Sequence, residues 1–110
     1  LPIPARIRST IDPITDPPAD LKQMALVHKA MADPTRLRIL QRLAEGDGTV
    51  SDLMRHVDLS QPLVSWHVRR LRAAGLIETR RNGRETICSL GRSALIHFHR
   101  RERELLRLED

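Results

Sequence analysis

Residues 59–84, LSQPLVSWHVRRLRAAGLIETRRNGR, concentrate the side chains able to grip a polyanion. Between Gln61 and Arg84, six arginines (Arg69, Arg70, Arg72, Arg80, Arg81 and Arg84) stand against one acid, Glu78. Taking those six and one from the chain's 19 basic and 14 acidic residues leaves 13 of each, so the whole net charge of +5 lies on this stretch. Guanidinium groups donate through a planar fork that suits phosphate. A basic excess confined to one segment is the electrostatic footprint of a nucleic-acid surface. Trp66 and Phe98 are the only aromatic residues, too few to stack successive bases, which favours a duplex over a single strand.

The elements that must position these groups are legible from punctuation and periodicity. Five of seven prolines (Pro2, Pro4, Pro13, Pro17 and Pro18) fall in the first 18 residues, predicting an extended or irregular arm over 1–18. A domain follows over 19–108. Its first helix, 19–32, places Leu21, Met24, Ala25, His28 and Met31 at helical spacing. Asp33-Pro34 starts a second helix, with an N-cap acceptor before a proline at the first helical position. Leu37, Leu40, Leu43 and Ala44 are its predicted apolar stripe, and Gly46 ends it. Thr49 and Asp52 form a capping box for a third helix with Val50, Leu53 and Val57 inward. After a short turn at Asp58-Leu59, Ser60 caps a fourth helix that buries Val64, Val68 and Leu71 and stops at Gly75. Strands over 76–81 and 84–90 flank Asn82-Gly83, which predicts a type I′ hairpin turn. A last helix over 92–108 carries Leu95, Phe98, Leu105 and Leu108.

Two helices across a tight turn, then a hairpin, describe a mainly α winged helix-turn-helix of order α-α-α-α-β-β-α. In that architecture the second helix of the pair enters the major groove and reads with its N-terminal residues. The outward positions there are Gln61, Pro62, Ser65, Trp66 and Arg69, preceded by the cap Ser60. Gln61 suits bidentate pairing with adenine, and Ser65 donates or accepts. Trp66 has two readings, contact with a thymine methyl or sugar and half-buried packing. In the hairpin, a turn at 82–83 sets Arg81 opposite Arg84, with Arg80 beside them, an unfavourable juxtaposition that phosphates would relieve. Arg80, Arg81, Asn82 and Arg84 are therefore the expected backbone clamp.

Residues 31–90 resemble the ArsR/SmtB family of bacterial repressors. The resemblance rests on A-D-P-T-R-L-R-I-L at the second helix, L-S-Q-x-x-V-S-x-H at the fourth, the A-G-L-I exit and the R-x-G-R wing. It implies a homodimer that pairs through its first and last helices and binds operator DNA, and it implies repression. It also raises metal or thiol control, but the family's usual sensor residues are missing. Thr49 and Ser51 stand where third-helix sensors carry cysteines, and Arg92-Ser93-Ala94 stands where last-helix sensors carry Asp-x-His. Trp66 occupies a place where members often have histidine.

The remaining candidate ligands are His99 and Glu102, which share a helical face, with His97 and His28 as additions. Nitrogen and oxygen donors of this kind would suit Ni(II) or Zn(II). The competing reading is an ordinary amphipathic helix whose glutamates pair with neighbouring arginines. Apolar residues for a dimer interface are Leu21, Met24, Met31, Leu95, Phe98 and Leu105. The lone Cys88 excludes an internal disulfide and favours buried packing over a redox switch. No apolar run reaches membrane-spanning length and LPIPARIRST holds no apolar signal segment, so a cytoplasmic protein is expected. No paired carboxylates, phosphate loop or nucleophile–base set marks an enzyme. The alternative class is a winged-helix module that binds a protein, or a co-regulator whose sensing comes from a separate sensor protein.

Overall fold

A computed structural model of the chain describes residues 19–108; the arm of 1–18 lies outside the described residues. Among the described residues, five helices and a small sheet are arranged in the order α1 (Ala19–Met31), α2 (Pro34–Ala44), β1 (Gly48–Thr49), α3 (Val50–Val57), α4 (Gln61–Ala73), β2 (Ile77–Asn82), β3 (Glu85–Leu90) and α5 (Arg92–Leu106). Local chemistry sets the starts. Asp33 accepts from the Arg36 N–H at 3.0 Å, and Pro34 follows it at the head of α2. The Thr49–Asp52 box is complete, with 3.0 Å from the Asp52 N–H to Thr49 Oγ1 and 2.9 Å from the Thr49 N–H to Asp52 Oδ2. Those bonds hold the Asp52 carboxyl below its ordinary value, the Thr49 backbone bond contributing most.

One core joins the elements, with Ile39, Leu43, Leu53, Val64, Leu71, Leu76, Ile77 and Cys88 fully enclosed. Burial of each such aliphatic side chain contributes about 1.5–3 kcal/mol. The buried faces differ from the apolar stripes on α2 and α5, and on α1 they lie apart from the residues offered for a dimer interface. On α1 the buried residues are Val27 and Ala30, while Leu21 stays exposed. On α2 the inward face is Arg36, Ile39, Leu40 and Leu43, leaving Leu37 at 46% exposure and Ala44 at the surface. On α5 Phe98 sits in its own protomer's core at 7% exposure, and the helix stops at Leu106 because Arg107 turns left-handed.

The sheet contains a strand that the sequence did not announce. β1 pairs with β3 through Gly48–Cys88 and Thr49–Ile87, giving the antiparallel order β1-β3-β2. The hairpin turn lies one residue later than the dipeptide suggested. Asn82 pairs with Glu85, the loop is Gly83-Arg84, and only Gly83 has a positive φ, at 66°. Glycine at the first central position is the requirement of a type II′ turn rather than type I′. Every cross-strand partner shifts as a result. Arg81 faces Thr86, not Arg84, and the expected repulsion between opposed arginines is absent. The hairpin closes onto the last helix through Gly91, whose N–H donates to the Leu76 carbonyl at 2.8 Å. A Cβ at Gly91 would stand 2.7 Å from the Gly75 carbonyl oxygen.

Candidate nucleic-acid interface

The turn between α3 and α4 is set by Asp58, whose left-handed φ of 54° lets its N–H close on the Met54 carbonyl. Inward burial of Val64, His67, Val68 and Leu71 then aims Gln61 and Pro62 outward and leaves Ser65 half-buried. Ser60 occupies the N-cap position, but its side chain makes no capping bond. With no acid in the first turn, the amide groups there stay open to an anion.

Gln61 and Ser65 share a polar cleft of about 260 Å³ with Arg81, Arg84, Glu85 and Thr86 of the wing and Ser51 of α3, two guanidinium groups against one carboxylate. Ser51 is an addition, placed there because the start of α3 packs beside the start of α4. Strand alternation decides which wing arginines arrive. Arg81 lies on the same sheet face as Cys88 and Ile77, and its guanidinium is steadied by Thr86 Oγ1 at 3.0 Å. Arg84 follows at the turn. Arg80 points to the other face, where it pairs with Asp47 at 3.3 Å and Ser89 at 3.2 Å. Asn82 is exposed beside it, at the end of β2. The clamp therefore divides, with Arg81 and Arg84 in the cleft and Arg80 engaged elsewhere.

Trp66 and Arg69 belong to a different groove. It lies between α1 and α4, and the indole, 43% exposed, rests 5.1 Å from Arg70 and 5.6 Å from Arg36. Arg36 is itself buried. Its Nε donates to the Ala30 carbonyl at 2.6 Å, its Nη1 to His67 Nδ1 at 3.2 Å and its Nη2 to the Lys29 carbonyl at 3.4 Å. A guanidinium only donates, so His67 Nδ1 must carry the lone pair and the ring must be neutral. Burial, and secondarily Arg36 and Arg70, push the His67 pKa down, while Asp33 opposes them. Sequence periodicity passed over this link because a buried arginine reads as a surface residue. Other arginines also close helix ends: Arg38 donates to the His56 carbonyl and Arg92 to the Ala44 carbonyl.

The histidine–glutamate candidates meet where α1 and α5 pack. His28 Nε2 bonds Glu102 Oε2, and His99 Nδ1 lies 3.9 Å from Glu102 Oε1. His97 turns into a separate pocket beside Asp20 and Arg101. Among the described residues no three His, Cys, Asp or Glu side chains converge closely enough to hold a metal ion. Cys88 is fully enclosed, and burial pushes its thiol pKa up, against the needs of a reactive thiolate. Of the interface candidates, Met24, Met31 and Leu95 pack partly against the core, whereas Leu21 and Leu105 remain exposed, as do Ile96 and Leu106. Among the described residues no helix is long and apolar enough to cross a membrane.

A helix-turn-helix whose second helix shares a cationic cleft with a β-wing defines the winged-helix class of DNA-binding proteins. The profile described as "Bacterial regulatory protein, arsR family" matches residues 33–79. The chain is 33% identical over 78 residues to the arsenical resistance operon repressor of Staphylococcus xylosus, covering 71% of this chain and 75% of that one. It is 40% identical over 63 residues to a probable mercury resistance operon repressor of Streptomyces lividans, covering 57% of this chain but only half of that protein. The homodimeric winged helix-turn-helix DNA-binding domain from Mycobacterium bovis superposes with a TM-score of 0.66 at 30% identity, covering 72% of this chain and 74% of that one. The chain belongs to the ArsR family of transcriptional regulators. The relatives it matches are described as repressors of resistance operons.

Proposed function

We propose that the protein is a cytoplasmic repressor that binds operator DNA as a homodimer. The observation that carries this reading is the convergence of Gln61 and Ser65 with Arg81 and Arg84 on one cleft. Gln61 and Ser65 meet base edges, Ser60, Pro62 and the open amides of α4 approach the backbone, and Arg81 and Arg84 grip a phosphate wall. Exposed Leu21, Ile96, Leu105 and Leu106 on α1 and α5 support pairing through those helices. Pairing would set two copies of α4 about 34–36 Å apart, one helical turn of duplex. The test uses a duplex selected by the protein from a randomised pool, with affinity measured across a salt series. Replacing Arg81 and Arg84 by Ala removes four contacts per dimer and lowers the log–log slope by about 3.6, at about 0.9 per contact. An unchanged slope removes the wing from the interface, and absence of salt-dependent duplex binding favours a protein-binding module.

A second reading is divalent-metal control, supported by the pairwise contacts that Glu102 makes with His28 and with His99 at the α1–α5 junction, which a bound ion would have to draw together. Nitrogen and carboxylate donors there would select Zn(II) or Ni(II), and occupancy would alter the contact between the two pairing helices. Zinc titration of the wild type and of a His99→Ala, Glu102→Ala variant tests it. Equal affinity rejects the site, and no binding to either protein leaves sensing to another effector or a separate sensor protein.

A further inference from the structure

The groove between α1 and α4 is not used by the recognition cleft, yet its chemistry is that of an anion seat. Lys29, Arg69 and Arg70 stand around a floor of Leu26, Ala30 and Ala73, with Trp66 as one wall, and no carboxylate lines its volume of about 340 Å³. We propose that this groove holds the phosphodiester backbone on the opposite wall of the major groove from the wing, with Lys29 and Arg70 as the contacting cations. The inference rests on the DNA-binding reading and extends it to a helix outside the helix-turn-helix.

Three observations carry it. The first is placement. Successive helical residues lie about 100° apart, so Ser65 and Trp66 mark two flanks of α4. Ser65 opens toward Arg81 and Arg84, and Trp66 and Arg70 open toward α1. A helix with its side chains is about 10–12 Å across and the major groove is about 12 Å wide, so a seated helix has a phosphate wall against each flank. The wing supplies cations for one wall only, and Lys29 and Arg70 supply the other.

The second is electrostatic. The C-terminal end of α1 would direct carbonyl oxygens, and the negative end of its dipole, toward that wall. Arg36 cancels this by donating to the Lys29 and Ala30 carbonyls. The third is rigidity. The same guanidinium bonds His67 on α4 and, at 2.6 Å, the Ala30 carbonyl, so the end of α1 that carries Lys29 is tied to α4 through one buried residue. Trp66 lies against Arg70 and fixes the groove's wall before any duplex arrives. Arg36 and Trp66 are thus positioning residues, and Lys29 and Arg70 are the contacts.

The experiment compares wild type, Lys29→Gln and Arg70→Ala on the selected duplex, by salt-dependent affinity and by ethylation interference. Each substitution removes two contacts per dimer, so the slope falls by about 1.8. Base preference stays as in the wild type, and interference is lost at phosphates across the groove from those silenced by Arg81→Ala. Lys29 is exposed, so its substitution tests the seat even where Arg70→Ala disturbs the packing of Trp66. A wild-type slope and interference pattern in Lys29→Gln would overturn the proposal. So would dissociation of that variant into monomers, which would make the groove a subunit contact. If the wild type itself binds no duplex, the DNA-binding reading fails first; if the wing variant loses slope and the groove variants do not, only this inference fails.

Discussion

Arg36→Met removes the guanidinium that joins α1, α2 and α4 while nearly preserving side-chain length. The wild-type group is 7% exposed and serves three acceptors, at 2.6, 3.2 and 3.4 Å. Hydrogen bonds from a charged donor contribute about 1.5–3 kcal/mol each, and the longest of these three counts for little. The two shorter bonds therefore sum to about 3–6 kcal/mol, from which the relief of a desolvated charge subtracts. The expected loss is about 3 kcal/mol, equivalent to a Tm drop of about 12–24 °C for a domain of this size. Arg36→Lys keeps the charge but cannot fork to two carbonyls and an imidazole, and it should lose about 2 kcal/mol. The assay is urea unfolding at one fixed protomer concentration, since dimerisation adds to apparent stability. Trp66, the only tryptophan, reports locally because its ring lies 5.6 Å from Arg36. The pH dependence gives an independent check. His67 has a lowered folded pKa, so the stability from its neutral form is complete above its ordinary value of 6.5 and is lost as pH falls through the folded pKa. Arg36 is one cause of that lowering, so the Met variant should lose less stability on acidification than the wild type. A Met variant within 1 kcal/mol of wild type and equally acid-sensitive would refute the assignment of Arg36 as the link between α1 and α4.

Three further outcomes follow from the geometry. Gln61→Ala should relax base preference at one position per half-site and cost about 1–3 kcal/mol there, read from a randomised-site binding profile; an unaltered profile would remove Gln61 as a reader. Ile96→Glu with Leu106→Glu should yield monomers in sedimentation and poor duplex affinity, whereas Phe98→Glu should unfold the protomer, because Phe98 is buried inside it. Dimers surviving the first pair would place the interface off α5. Gly91→Ala should destabilise by about 1–3 kcal/mol in denaturant unfolding, since its Cβ would meet a backbone oxygen at 2.7 Å that no side-chain rotation can move. A wild-type midpoint would show that the hairpin-to-α5 junction yields freely.

The sequence alone was sufficient wherever a structure is set by chemistry a few residues long. Asp33-Pro34 and the Thr49–Asp52 box act over three residues, so the starts of α2 and α3 followed directly from residue type. The concentration of arginine after Gln61 placed the charge, and Gly83 announced a hairpin, whatever the rest of the chain did. Partner choice was decided elsewhere. Two-residue loops at 82–83 and at 83–84 are both open to this sequence, and cross-strand pairing selects between them: β3 must also match Cys88 to Gly48 of β1. That choice sets Arg81 against Thr86 beside Gln61, whereas strand alternation sends Arg80 away to Asp47. The burial of Arg36 and of Phe98 likewise depends on acceptors and rings contributed by distant elements: the α1 carbonyls and His67 for one, His28 and the shared core for the other. Hydrophobic periodicity records which faces are apolar but not which distant groups will satisfy a buried donor. The polar cleft beside the wing was therefore legible in outline from residue types, while its separation from the groove between α1 and α4, which takes Trp66 and Arg69, exists only once the chain has folded.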